Sequence, residues 1–149
     1  KRGLNRFRDI GCMSCHFGVN FAGPAPGPAL KMGDGFYELF PNYLGSDYEK
    51  RYHLSDDLGR YDFSRNPGER HMFRLPTLRN IALTAPYFHN GSRLTFPEAV
   101  EFYINSSALA HEGQMRNEPP EFGAMSISAE DLNALVAFLK SLTEDYDDT

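Results

Sequence analysis

The sequence has no tryptophan, only two cysteines, no long apolar run and no surplus of positive charge. Each shortage excludes something. With cysteines only at positions 12 and 15, no disulfide framework is available, because a bridge across two intervening residues closes almost no loop and stabilises little. No apolar stretch approaches the roughly 20 residues needed to cross a bilayer, so no membrane span is expected. The 15 Lys and Arg against 20 Asp and Glu leave a formal net charge of -5, which argues against nucleic acid as a partner, since nucleic acid selects basic surfaces. A length of 149 residues suits one domain. No signal peptide is legible, and residues 1–7 already read as a helix. The chain is therefore expected to be the processed or excised part of something that began earlier.

What is present starts with Cys12-Met13-Ser14-Cys15-His16. This is C-x-x-C-H, the attachment signal for c-type haem. Two thiols three positions apart lie on one side of a helical turn, within reach of the two vinyl groups of one porphyrin. The adjacent His16 then supplies a ring nitrogen to the iron as proximal ligand. A thioredoxin-like redox pair needs a preceding β-strand, and none is legible here. A zinc site needs further nitrogen or sulfur ligands at short spacing, and there is no other cysteine. Chance produces the motif in roughly one of 2,000 shuffled arrangements of this composition.

The flanks agree with a helical haem domain. Gly3 and Phe7 lie one turn apart on the helix leading into the motif. Near the other end, Ser128-Ala129-Glu130-Asp131 is a capping-box start, followed by Leu132, Leu135, Val136, Leu139 and Leu142 at helical spacing. A small residue on the first helix lets the last cross it closely, as in the crossed terminal helices of a cytochrome c. Thr95-Phe96-Pro97-Glu98 opens another helix, with proline inside its first turn. Pro24-Ala25-Pro26-Gly27-Pro28 excludes helix and central strand; it is either a wrap around the porphyrin edge or an extended surface loop. Residues 41–70 read as loops with short helices, and no internal repeat is found.

The stretch from Phe73-Arg74-Leu75-Pro76-Thr77-Leu78-Arg79-Asn80 through Ile81-Ala82-Leu83-Thr84-Ala85-Pro86-Tyr87-Phe88-His89-Asn90-Gly91-Ser92 resembles the bacterial dihaem cytochrome c peroxidase family, which includes the MauG-like enzymes. The likeness continues through Thr95–Val100 and Leu132–Leu142, and it is to the C-terminal, second-haem half of that family. It implies an all-α, cytochrome c-like fold with long loops and one covalent haem c. The implied role is to pass electrons or oxidising equivalents to a peroxidatic haem on a missing domain or partner chain. The family's tryptophan between the haems belongs to the other half, consistent with its absence here. A part of an oxidoreductase is thus expected, in the bacterial periplasm, with a second haem domain and a redox protein as partners. The alternative is a stand-alone monohaem electron carrier. A third possibility is a five-coordinate iron with adventitious peroxidase activity.

The sixth iron ligand stays open. The family's register places its usual methionine at Tyr103, where MauG-like members have tyrosine, 103 − 16 = 87 residues after His16. Met115 and Met125 are rivals in Gly- and Pro-rich loops, Met72 a weaker one, and Met32 reads as packing. His111 is an outside axial alternative. His53, His71 and His111 are expected on the surface, and His89 either orients the domain junction or is a hydrogen-bonded structural residue. The resemblance further implies calcium held by backbone carbonyls of Thr84 and Pro86, with the remaining protein ligand on the missing half. The acidic run Glu144-Asp145-Tyr146-Asp147-Asp148 reads as a solvated end rather than a cation site.

Overall fold

The computed structural model describes residues 1–23, 37–43, 45–119 and 122–144. The proline-rich segment 24–28, Met32 and residues 145–148 of the acidic end lie outside them. In chain order the elements are α1 (Arg2–Asp9), β1 (Tyr37–Leu39), β2 (Asn42–Tyr43), α2 (Asp47–Arg51), α3 (Tyr61–Ser64), β3 (Met72–Arg74), α4 (Phe96–His111), β4 (Met115–Arg116) and α5 (Ala129–Lys140), with short 3-10 turns between them. The fold is helical, as expected. The segment 41–70 does contain short helices, but strands also appear in and around it. β1 pairs antiparallel with β3, and β2 with β4. Strands of two or three residues are too short to show an alternating pattern, so the sequence carries no legible trace of them.

α1 and α5 cross at Gly3. A Cβ on Gly3 would stand 2.0 Å from the carbonyl oxygen of Ala134 and 2.6 Å from Cβ of Phe138, so only glycine permits this approach. One turn on, Phe7 packs against the Phe138 ring at 5.2 Å. These contacts join a core that includes Ile10, Leu78, Val100, Leu135 and Leu139. Burying such side chains is the main favourable contribution to the fold.

The crossing is also held by charge. Arg6 donates from Nε and Nη2 to the two carboxylate oxygens of Asp131 at 2.5 and 2.7 Å. The same carboxylate accepts from the backbone N–H and hydroxyl of Ser128 at 3.0 Å each, which caps α5 as the capping signature predicts. The Arg6 guanidinium holds the Asp131 carboxyl well below the usual carboxylate range. A depressed folded value means that the ionised group contributes stability above the unfolded value near 3.9, and that this is lost as pH falls through the folded value. Asp131→Asn is therefore expected to melt lower than the wild type at pH 7, with the gap narrowing below about pH 4. Thermal unfolding followed across that window checks it, and a gap independent of pH would sink it.

Candidate functional site

α1 ends at Ile10, and Gly11 turns the chain with φ of 94°, a conformation that favours glycine. The turn sets Cys12–Ser14 into one 3-10 turn, with Cys15 and His16 following. Both thiols are half-buried. Burial, then the neighbouring Cys15, pushes the Cys12 thiol up to about 12. Redox C-x-x-C pairs need the opposite shift, because the thiolate is their nucleophile.

His16 is the best-defined donor. Its Nδ1 donates to the Phe21 carbonyl at 3.1 Å, and the Pro76 carbonyl also faces the ring. With the proton held on Nδ1, the lone pair sits on Nε2, which is the tautomer a ligating imidazole uses. Burial moves the imidazolium pKa down, which favours the neutral, ligating form. Sequence reasoning missed Phe21 and Pro76 because both act through backbone carbonyls, which leave no residue-type signal.

Tyr103 projects from α4 into an aromatic shell of Phe102, Phe122 and Phe88, with ring centroids 5.4, 5.9 and 6.2 Å away. Burial raises the pKa of its hydroxyl, and the thiols of Cys12 and Cys15 raise it further. Tyr103 and Cys12 pack against the same buried core. Helix α4 can deliver Tyr103 there because the capping box of Thr95 and Glu98 fixes where the helix begins.

The rivals are placed differently. Met125 is buried in the core, and its Cγ and Cε lie 3.8 Å from where a Gly11 Cβ would be. Met115 lies in β4 opposite Tyr43, and Met72 in β3 opposite Leu39. His111, at the end of α4, is exposed with Nε2 against the Met125 carbonyl at 2.8 Å. His53 is exposed as expected, whereas His71 is half-buried and donates from Nδ1 to the Asp57 carbonyl at 2.9 Å. His89 stacks on Phe73 at 3.7 Å, meets Phe40 edge-on at 4.6 Å and bonds Asp57 through Nε2 at 3.0 Å. Thr84 and Pro86 are exposed, and among the described residues no group of three or more His, Cys, Asp or Glu is arranged to hold a metal ion.

The donor set fits a covalently held haem: two thiols on one turn, an imidazole with a fixed tautomer and an aromatic wall facing them. Comparison with known proteins agrees. The cytochrome c family model matches residues 1–143. The cytochrome c551 peroxidase of Pseudomonas aeruginosa is 32% identical over 143 residues, covering 96% of this chain and 33% of that protein. The methylamine utilization protein MauG of Paracoccus denitrificans is 32% identical over 118 residues, covering 68% of this chain and 29% of that one. Among solved structures, a MauG-like protein associated with microbial copper homeostasis superposes with a TM-score of 0.68 at 26% identity, over 97% of this chain and 46% of that one. The chain therefore spans about a third of the length of the curated relatives it matches. From the C-x-x-C-H turn to the closing helix, it belongs to the cytochrome c family as a haem c domain related to the diheme peroxidases and MauG.

Proposed function

We propose that this chain is the second-haem, electron-transfer domain of a dihaem peroxidase or MauG-like enzyme of the bacterial periplasm. It carries one haem c and relays electrons or oxidising equivalents to a peroxidatic haem on another domain or partner chain. His16 is the proximal iron ligand in this reading and Tyr103 the distal one. The observation that carries it is that Cys12 and Tyr103 pack against the same buried core, while His16 is tied through Nδ1 to the Phe21 carbonyl.

When bound, the haem supplies one-electron chemistry at iron, and the protein tunes it through the axial donors. Cys12 and Cys15 fix the porphyrin to the turn after α1. His16 offers a neutral nitrogen whose orientation the Phe21 carbonyl sets. Tyr103 would offer its phenol oxygen, a hard anionic donor once deprotonated. Burial alone opposes deprotonation, so it needs the positive charge of the iron beside it. A haem held by both His16 and Tyr103 would leave peroxide no open position, which suits a relay. The backbone carbonyls of Thr84 and Pro86, both exposed residues, belong in the same reading to a calcium site completed by the missing domain.

The test is the ferric optical and low-temperature EPR spectrum of the haem-loaded chain, wild type beside Tyr103→Phe. The wild type is expected to lack the methionine-to-iron band at the red end of the spectrum, and the substitution to change both spectra. A methionine band that Tyr103→Phe leaves untouched would move the ligand to Met125 or Met115 and favour a conventional electron carrier. Cyanide added to the ferric wild type would bind at once to a five-coordinate iron, and slow or absent binding is expected here.

A further inference from the structure

The segment 75–80 meets the proximal imidazole in two ways. The Pro76 carbonyl faces the ring directly. The second route runs through the loop that follows His16, where three consecutive carbonyls are each tied down. The Val19 carbonyl accepts from Arg79 Nε and Nη2 at 2.9 and 2.8 Å. The Asn20 carbonyl accepts from the Thr77 hydroxyl at 2.5 Å. The Phe21 carbonyl accepts from His16 Nδ1 at 3.1 Å.

Phe21 does this from a costly conformation. Its φ is 49°, in the left-handed region, where a bulky side chain is disfavoured and persists only when its surroundings over-determine it. Those surroundings are visible. The Phe21 ring meets Phe7 and Phe138 edge-on at 6.0 and 5.8 Å, and the Arg79 guanidinium lies 5.6 Å from its centroid. The Thr77 hydroxyl is itself aimed, because it accepts from the Arg79 backbone N–H at 3.1 Å.

We propose that Thr77 and Arg79 are positioning residues for His16. By holding the carbonyls of Val19 and Asn20, they keep Phe21 in the left-handed conformation that points its own carbonyl at Nδ1, and so set the strength of that hydrogen bond. A strong Nδ1–H bond makes an imidazole a more electron-rich ligand, which stabilises ferric iron. Loosening the loop weakens the bond and moves the iron potential upward. This rests on His16 ligation as proposed above. Neither Thr77 nor Arg79 is buried, so their ties add little to global stability, and the effect is to be read at the ligand rather than in melting.

The experiment uses the haem-loaded chain with Thr77→Val and Arg79→Met, and Thr77→Ser to restore the hydroxyl. It reads the solvent exchange of the hyperfine-shifted His16 Nδ1 proton in the ferric protein by NMR, together with the ferric/ferrous potential. Losing the aim of one hydrogen bond is expected to speed exchange about tenfold in Thr77→Val and Arg79→Met, with an upward potential shift in both. Thr77→Ser keeps wild-type values. Unchanged exchange and potential in both variants, even beside a lowered melting temperature, would reduce the ties to loop packing and overturn the proposal. A wild-type spectrum with no shifted imidazole Nδ1 proton would overturn His16 ligation itself, and the proposal with it.

Discussion

Gly3→Ala is expected to lower the melting temperature of the haem-loaded domain by about 10 °C, corresponding to about 3 kcal/mol. Helix propensity alone predicts the opposite sign, since alanine is favoured over glycine inside a helix by about 1 kcal/mol. The crossing reverses it. The new methyl would meet the Ala134 carbonyl oxygen at 2.0 Å and the Ala134 carbonyl carbon at 2.9 Å. Both are backbone atoms of α5, so no side-chain rotation relieves the overlap, and the helices must move apart. Separation would also open the Phe7–Phe138 contact and the Arg6–Asp131 pair on the same face. Circular dichroism melting of the two proteins side by side decides it. An unchanged or raised melting temperature would mean that α1 and α5 do not meet at Gly3.

Tyr103→Met is expected to raise the ferric/ferrous potential by on the order of a few hundred millivolts, a large part of the range that axial ligands span. A phenolate is hard and anionic and stabilises the ferric state, whereas a thioether is neutral and soft and favours the ferrous one. The site suits the exchange: methionine is unbranched and adaptable, and the rings of Phe88, Phe102 and Phe122 form the apolar surround a thioether tolerates. Potentiometric titration followed optically reads the change. A potential that stays put would show that position 103 does not ligate the iron, and would return Met125 and Met115 to the foreground.

The parts of this domain legible in the sequence are those with a local chemical signature. Cys12, Cys15 and His16 announce themselves by spacing. The starts of α4 and α5 follow from Thr95 with Glu98 and Ser128 with Asp131, because caps are read over three residues. The Gly3 crossing was anticipated from a small residue one turn before an aromatic. The short strand pairs were not, since strands of two or three residues have no period. Nor was the support beneath His16: the carbonyls of Phe21 and Pro76 are backbone groups, and the grip of Arg79 on Val19 joins positions 60 residues apart. Asp131 reads locally as a cap, and its second role, pairing with Arg6 across 125 residues, is not visible from its neighbours.

That last pairing bears on the order of assembly. Arg6 and the attachment turn precede Asp131, with 125 residues separating the paired side chains, so the cysteine-bearing segment is made before its clasp exists. Until α5 is made, α1 lacks both its charge partner and its crossing surface. A chain cut short before residue 131 keeps the attachment motif and loses the latch.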